Sequence, residues 1–303
     1  MKGSLKKKFW AALAVFGLMG QIAWVVENMY LNVFIYKMFH ASAGDISLMV
    51  GASAAAATLT TILMGAYSDY TGKRRRFICG GYMLWGISIL CFALVRMELL
   101  TPLAGSVTAA ASLGVGLLIA LDCLMTFLGS TANDAAFNAW MTDWGDGNSR
   151  GRIEGINAMM PLVATLVVFG GFMAFDLDRE ESWVAIFTII GCAVFAIGAL
   201  GLFLVQDWPD LSGFRGTEGY WKTVFYSFRP SVFAEHKLLY AVIGAFALFN
   251  ISINIYMPYL ILYYEKGLGM ENYVVVMAPA IVLAAVITAF YGKLFDMLGF
   301  QSS

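Results

Sequence analysis

Three carboxylates lie inside long apolar stretches of the chain: Glu27, Asp122 and Asp134. A charged side chain at the centre of a bilayer costs about 2.5–3.5 kcal/mol on insertion scales, so such residues usually face a protein interior or a polar cavity. Because burial favours the neutral carboxyl group, these residues could carry a proton near neutral pH. Their chemistry therefore indicates proton or cation handling, and hydrogen bonding between helices is the structural alternative.

Amides and an indole accompany the carboxylates at helical spacing. Steps of three, four and four residues place one set on a single helix face with Glu27 beside it: Gln21, Trp24, Asn28 and Asn32. Steps of four form a second ridge: Asp122, Thr126, Ser130, Asp134 and Asn138. A third group would form the facing wall: Asn250, Asn254 and Tyr256. Hydrogen-bonding groups beside an aromatic ring suit a sugar, because its hydroxyls need polar partners and its ring needs an apolar platform.

The composition identifies the elements that must hold these residues. Of the 303 residues, 60% are hydrophobic and only 13% are charged, and the mean hydropathy is +0.75. Since a soluble domain is about 25% charged, a soluble enzyme, a nucleic-acid binder and a disordered chain are all excluded. Recurring apolar runs of about 20 residues predict an all-α polytopic membrane protein. We predict eight spans: Phe9–Phe39, Ile46–Tyr67, Phe77–Val95, Ala110–Met141, Ile156–Phe175, Trp183–Val205, Leu238–Tyr264 and Tyr273–Tyr291.

The basic residues predict the orientation of these spans. With the amino terminus inside, 15 of the 19 Lys and Arg residues fall in inner segments and four in outer segments. The positive-inside rule then places the amino terminus in the cytoplasm, in a plasma (inner) membrane. Phosphate-loop, metal-ligand and nucleophile motifs are not found in the sequence, so we expect neither enzymatic activity nor a cofactor or metal.

An internal repeat predicts the domain organisation. Residues 28–35 match residues 254–261 at an offset of 226, and Gly65, Asp69 and Gly72 match Gly292, Asp296 and Gly299 at an offset of 227. Six spans separate the copies, so the two units run parallel, as in one large transporter class. We predict a six-span bundle over 1–205, a cytoplasmic linker over 206–237 and the first two spans of a second bundle over 238–303. The second repeat is then incomplete, and we expect four further spans to be missing from this chain.

Charged residues at the predicted inner ends of the spans form a second candidate site. Asp69 is expected to meet Arg150, Arg152 and Glu154 in a gate that closes the inner face, and solvated loop charges are the alternative. The complete set of predicted gating residues is Gly65, Asp69, Gly72, Arg74, Arg150, Arg152, Glu154 and Asp296.

Two motifs resemble known transporter families. The segment from Gly65 to Arg76 (GAYSDYTGKRRR) resembles the signature loop of the major facilitator superfamily. Leu121-Asp122 with the segment from Asn133 to Asp143 is similar to the fourth span of the sucrose-type sugar:cation symporters, although Asn138 stands where those proteins carry Arg. The resemblance implies a sugar or glycoside symporter of the glycoside–pentoside–hexuronide or sucrose type. The resemblance also implies alternating access, a proton or sodium ion as the coupling ion, and a monomeric state in the lipid bilayer.

Two other functions remain open on the sequence. Proton-coupled efflux of drugs or metabolites needs a wide apolar site, and the amide-rich first span argues mildly against it. A membrane sensor or scaffold would bind a sugar without transporting it. We expect a small-molecule substrate in each case and no nucleic-acid partner.

Overall fold

The computed structural model describes residues 3–145, 150–207, 220–225, 230–270 and 272–298, and all regular structure in these ranges is helical. The α-helices are α1 (Gly3–Val25), α2 (Asn32–Phe39), α3 (Ala43–Thr71), α4 (Arg74–Phe92), α5 (Met97–Ala104), α6 (Val107–Gly129), α7 (Asn138–Trp144), α8 (Arg150–Phe172), α9 (Glu180–Leu204), α10 (Tyr220–Val224), α11 (Pro230–Glu235), α12 (Lys237–Tyr256), α13 (Leu260–Leu262) and α14 (Tyr273–Leu298). A 3₁₀ turn, Met257–Tyr259, separates α12 from α13.

Three π-helical segments interrupt the long helices. The first π segment, Val26–Leu31, joins α1 to α2, and the second, Ser130–Phe137, joins α6 to α7. The third, Tyr263–Gly267, follows α13. A π-helical turn inserts extra residues into an α-helix and is frequent at functional sites. The first two segments lie where the sequence places Glu27 and Asp134.

Six helical stretches in the described part of the chain are long and apolar enough to cross a membrane: Lys7–Phe39, Ala43–Thr71, Val107–Trp144, Arg152–Phe172, Glu180–Leu204 and Lys237–Gly267. Helices α4 and α5 form a seventh candidate, bent by 67° at the break between them. The predicted eighth span corresponds to α14, whose apolar portion Tyr273–Ile287 is shorter. The expected helical class is confirmed.

The fourth span begins earlier than predicted. We expected the residues before Ala110 to lie in an outer loop, but α6 starts at Val107, where the Ser106 hydroxyl caps the helix by accepting from the Ala109 backbone N–H at 3.2 Å. The continuous stretch to Trp144 contains 38 residues. At 1.5 Å per residue it measures about 57 Å, which exceeds the roughly 30 Å of bilayer hydrocarbon, so the stretch is longer than one perpendicular crossing needs.

Aromatic side chains fill the core of the first six spans. Trp85, Trp140, Trp183 and Tyr82 are almost completely buried. Helices α4 and α9 pack very closely, because a Cβ added at Gly86 would lie 2.5 Å from the Phe195 backbone nitrogen. Such small-residue contacts are a usual means of helix association in membranes.

Helices α12 and α14 belong to the predicted second repeat, and they contact the predicted first bundle, residues 1–205, mainly near one end. No residue of α12 is buried, whereas Pro258, Ile261 and Leu262 just after it are buried. At the start of α14, Tyr273 packs against Phe169 of α8 with ring centroids 6.0 Å apart. Following the predicted orientation, we call the end with Lys37 and Tyr273 the outer end and the end with Asp69 the inner end.

Candidate functional site

A cavity of about 490 Å³ lies between the first π segment, α3 and α6, and one residue of α12 reaches it. Most of the sequence-predicted binding residues line it: Gln21, Trp24, Glu27, Asn28, Asn32, Asp122, Thr126, Asp134 and Asn254. The wall from α3 is formed by Met49, Val50, Ser53, Ala54, Ala57 and Thr58. The structure thus brings the first-span face and the fourth-span ridge together around one space.

Glu27 and Asp122 are the two most deeply placed acids of the cavity. Glu27 lies in the first π segment and accepts a hydrogen bond from Thr126 Oγ1 at 2.8 Å on its Oε1 atom. Asp122, only 1% exposed, lies close enough to Glu27 for the two carboxyl groups to interact electrostatically. Glu27 Oε2 and Asp122 Oδ1 find no donor among the described side chains when both acids are ionised, but the two carboxyl groups lie within hydrogen-bonding range of each other. Two buried carboxylates at close range disfavour joint ionisation, so a proton or a cation would stabilise the pair.

The amides of the first span are only partly satisfied by the helix. Asn28 Nδ2 donates to the Trp24 carbonyl at 2.8 Å, and Asn32 Nδ2 donates to the Asn28 carbonyl at 2.7 Å. The buried Asn32 Oδ1 has no partner in the described part of the chain. These amides therefore retain acceptor capacity for a ligand with hydroxyl groups.

An indole platform forms the apolar part of the lining. The Trp24 ring contacts the buried Trp85 ring, with centroids 4.9 Å apart and planes inclined at 45°. Gly129 allows this arrangement, because a Cβ there would lie 2.7 Å from Trp85 and 2.9 Å from Trp24. The platform is thus held by packing from behind, which leaves Trp24 on the cavity wall.

Asp134 belongs to a polar network that extends away from the cavity. Its carboxylate accepts from Ser130 Oγ at 2.9 Å and from Asn133 Nδ2 at 3.2 Å. Asn133 Oδ1 in turn accepts from the hydroxyl of Tyr82 at 2.8 Å. The second π segment supplies Ser130, Asn133 and Asp134, and sequence reasoning missed Asn133 and Tyr82 because a four-residue ridge does not include them.

Three predicted binding residues lie outside the cavity lining. Asn138 is exposed, and its Nδ2 donates to the Asp134 carbonyl at 3.0 Å. The four-residue spacing does not place Asn138 beside the other members of the ridge, because the second π segment changes the helical phase before Asn138. Asn250 donates to the Phe246 carbonyl at 2.8 Å, and Tyr256 is exposed, so only Asn254 of this group reaches the cavity.

Ser53 is a lining residue that the sequence analysis did not predict, whereas Ser130, also in the lining, belongs to the predicted four-step ridge. Ser53 lies within interaction range of the Asp122 carboxylate. It falls in the run of small residues Ala52–Ala57, a composition that is typical of helix-packing surfaces. The hydroxyl of Ser53 could have indicated a residue of the cavity lining, but the sequence did not show that α3 faces α6 at this point.

The inner charged cluster centres on Arg74. Its guanidinium forms an ion pair with Asp69, donates to Asp143 Oδ2 at 3.0 Å through Nε, and donates to Ser68 Oγ at 2.7 Å. Arg74 is 5% exposed, Asp143 18% and Asp69 56%. Asp143 was missing from the predicted gate, although it is the last residue of the fourth-span motif from Asn133 to Asp143.

The expected meeting of Asp69 with the start of α8 is wrong for the described side chains. The Arg152 guanidinium lies over the Trp10 ring, 4.7 Å from its centroid, and Glu154 is exposed. Helix α8 packs along α1, which carries its first turn away from α3. The side chain of Arg150 lies outside the described part of the structure.

The glycines of the loop motif differ in their roles. Gly72 ends α3 with φ of 62°, a left-handed conformation that favours glycine, and its N–H donates to the Ser68 carbonyl at 3.0 Å. Gly65 lies within α3, where an added Cβ would make only ordinary contact with Ala135 at 4.0 Å. In the second copy of the motif, Gly292 and Asp296 lie on α14, but their surroundings are outside the described part of the structure. Gly299 lies entirely outside the described residues.

Comparison with known proteins agrees with this architecture. The family model described as Major Facilitator Superfamily matches residues 9–302, and no curated protein matches the chain. The narrower resemblance to sugar:cation symporters stays a prediction. Because the match covers nearly the whole chain and the helices are long and apolar, this integral membrane protein belongs to the major facilitator superfamily, a family of secondary transporters.

Proposed function

We propose that the protein is a sugar or glycoside:cation symporter that works by alternating access. The observation that carries the proposal is the pairing of Glu27 and Asp122 at a cavity of about 490 Å³, each with an oxygen that lacks a protein donor when both acids are ionised. Small-molecule sites commonly measure about 300–1,000 Å³. The cavity is thus compatible with a solute of saccharide size, and the acids offer a place for the coupling ion.

The remaining lining supports a hydroxylated substrate. Amide groups of Gln21, Asn28 and Asn32 can exchange hydrogen bonds with sugar hydroxyls, and Trp24 can stack against the apolar face of a pyranose ring. A wide lipophilic drug would leave these amides and carboxylates without partners on desolvation, which costs free energy. The lining therefore favours uptake of a polar solute over drug efflux.

The acid pair suggests how the ion and the sugar are coupled. In the ion-free pair two negative charges repel each other, so a proton or sodium ion stabilises the cavity before or together with the sugar. Release of the ion at the inner face would restore the repulsion and disfavour retention of the sugar. Coupling then requires a carboxylate that changes its charge, and an amide at the same position would bind without coupling.

Glu27→Gln tests this role of the acid pair. In proteoliposomes with a pH or sodium gradient, the variant should lose accumulation of the accepted sugar yet keep its binding and its exchange across the membrane. Asp122→Asn should behave in the same way or bind the sugar more weakly. Radiolabelled mono- and disaccharides and aryl glycosides serve as the panel, and Glu98→Gln, which alters an exposed outer acid, is the matched control.

Each possible result separates the candidate functions. Normal gradient-driven accumulation in Glu27→Gln would return this residue to a purely structural role. Proton-driven movement of lipophilic cations with no saccharide binding would establish efflux instead. Saccharide binding without exchange or net flux would establish a sensor.

A further inference from the structure

The outer end of the molecule carries a charged triad that joins the two repeats. Lys37 of α2 contacts Glu265 of the third π segment at 2.8 Å and Asp178, in the turn before α9, at 3.2 Å. Lys37 and Asp178 belong to the first repeat, whereas Glu265 belongs to the second. One cation is therefore shared between an acid of its own bundle and an acid of the other.

Three further polar contacts cross between the repeats at the same end. The Tyr30 and Tyr273 hydroxyls lie 3.3 Å apart, and both rings lie among buried aromatic residues of α8. The Tyr259 hydroxyl donates to the Ala43 carbonyl at 2.9 Å and lies 2.7 Å from Ser47 Oγ. These contacts hold the outer ends of the repeats together above the cavity, while α12 on the inner side of it has no buried residue.

The three charges of the triad differ in their exposure. The side chains of Lys37 and Glu265 are 9% and 17% exposed, whereas that of Asp178 is 76% exposed. A nearly buried ammonium group without a partner is costly, so Lys37 requires an acid in every conformation. Glu265 can supply it only while the outer ends touch, but Asp178 can supply it after the repeats separate.

We propose that Lys37 is the moving charge of an outer latch, which is held by Glu265 when the outer end is closed and retained by Asp178 when it opens. Opening replaces a contact between the repeats with one inside the first repeat, so no buried cation is left alone. Glu265 stabilises the closed form, and Asp178 lowers the cost of the open form. The proposal depends on alternate exposure of the proposed cavity and not on which sugar or ion occupies it.

The latch makes predictions of opposite sign for its two acids. Glu265→Gln should shift the protein towards the outward-open form, whereas Asp178→Asn should shift it towards the closed form. Lys37→Gln should open the outer end, and Lys37→Gln combined with Glu265→Gln should open it no further than Glu265→Gln alone. A triad that merely stabilised the fold would give effects of one sign for both acids.

Cysteine accessibility measures these shifts without a substrate. The four native cysteines at 79, 91, 123 and 192 are first replaced by Ala, and Ala57→Cys then places a reporter on the cavity wall. A membrane-impermeant maleimide is added at the outer side of vesicles that contain the complete chain. Glu98→Cys, exposed at the outer end, replaces the cavity reporter in a parallel set and controls for insertion and reagent access.

We expect the cavity reporter to react about fivefold faster in Glu265→Gln and more slowly in Asp178→Asn, with the control reporter unchanged. A fivefold shift corresponds to about 1 kcal/mol. An unchanged rate in Glu265→Gln, or an increase in Asp178→Asn equal to that in Glu265→Gln, would overturn the latch. A protein that bound no saccharide but showed the opposed shifts would contradict the proposed substrate and leave the latch intact.

Discussion

Each end of the molecule holds one nearly buried cation between two acids. At the inner end both acids belong to the first repeat, whereas at the outer end each repeat supplies one acid. At the inner end, Arg74 links Asp69 of α3 and Asp143 of α7, all within the first repeat. At the outer end, Lys37 reaches Glu265 in the second repeat. Charges inside one bundle stabilise that bundle as a rigid unit, whereas charges between bundles stabilise one relative position of the two units.

The residue types fit these different tasks. The guanidinium group of Arg74 has five donors in a fixed fork, and three side chains occupy them from different directions. The ammonium group of Lys37 is compact and carried by a flexible stem, so it can change partners with little rearrangement. A buried cation between two acids can therefore hold one fixed set of contacts or exchange one acid for the other. Which of these it does depends on whether the two acids belong to the same repeat.

The largest expected effect comes from breaking the inner cluster. Arg74→Met should lower the free energy of unfolding by about 3 kcal/mol, because Asp143 and Ser68 lose their buried partner. Lys37→Met should cost less stability, since Asp178 is already 76% exposed and Glu265 is the only largely buried acid that loses its partner, but it should alter cavity labelling more. Thermal unfolding in detergent and the Ala57→Cys labelling rate measure the two quantities.

Arg76→Met is the matched control for the inner cluster, because Arg76 is an exposed member of the same basic run. Equal melting temperatures for Arg74→Met and Arg76→Met would show that the inner cluster does not hold the bundle together. Outer labelling that rises as much in Arg74→Met as in Lys37→Met would remove the distinction between the two ends.

A smaller effect should separate the two acids of the inner cluster. Asp143→Asn should lower stability by about 1–2 kcal/mol, and Asp69→Asn by less than about 1 kcal/mol, because Asp69 is 56% exposed. Asp69→Ala should still insert normally, since the basic run that directs topology remains, yet transport should fall because Arg74 loses one of the two acids that hold it. Wild-type transport by Asp69→Ala would leave Asp69 as an ordinary surface charge.

Effects of about the same size as that of Asp143→Asn concern the residues in left-handed conformation that end helices at the two ends. Gly72 has φ of 62° at the inner end, and His40 has φ of 53° at the outer end. A side chain in this conformation costs about 1–2 kcal/mol relative to glycine. Gly72→Ala should therefore lower the melting temperature, and His40→Gly should raise it or leave it unchanged. A clear decrease in His40→Gly would show that the imidazole makes a stabilising contact.

Much of the cavity was predictable from helical spacing. The first-span face from Gln21 to Asn32 lines one wall as expected, although the first π segment, Val26–Leu31, interrupts the helix between Trp24 and Asn32. Asp122 and Thr126 lie four residues apart within regular helix α6 and also reach the cavity. The roles of these residues in binding remain predictions, which transport measurements must test.

Other features could not be read from spacing. The helical spacing did not predict the π segments, and the second one turns Asn138 out of the predicted ridge. Arg152 meets Trp10 instead of Asp69 because α8 packs along α1. Lys37 and Glu265 are separated by 228 positions, and neither belongs to a motif that would have joined them.

The sequence by itself determined the helical membrane architecture and the presence of acids and amides within its spans, and it predicts the repeat that relates its parts. These follow from composition, periodicity and internal similarity, which are properties of the chain before it folds. Only the tertiary structure decided which acids face each other and which cations bridge within or between the repeats. Pairings of this kind depend on how helices distant in sequence are rotated and packed, and a local pattern carries no information about a partner more than two hundred residues away.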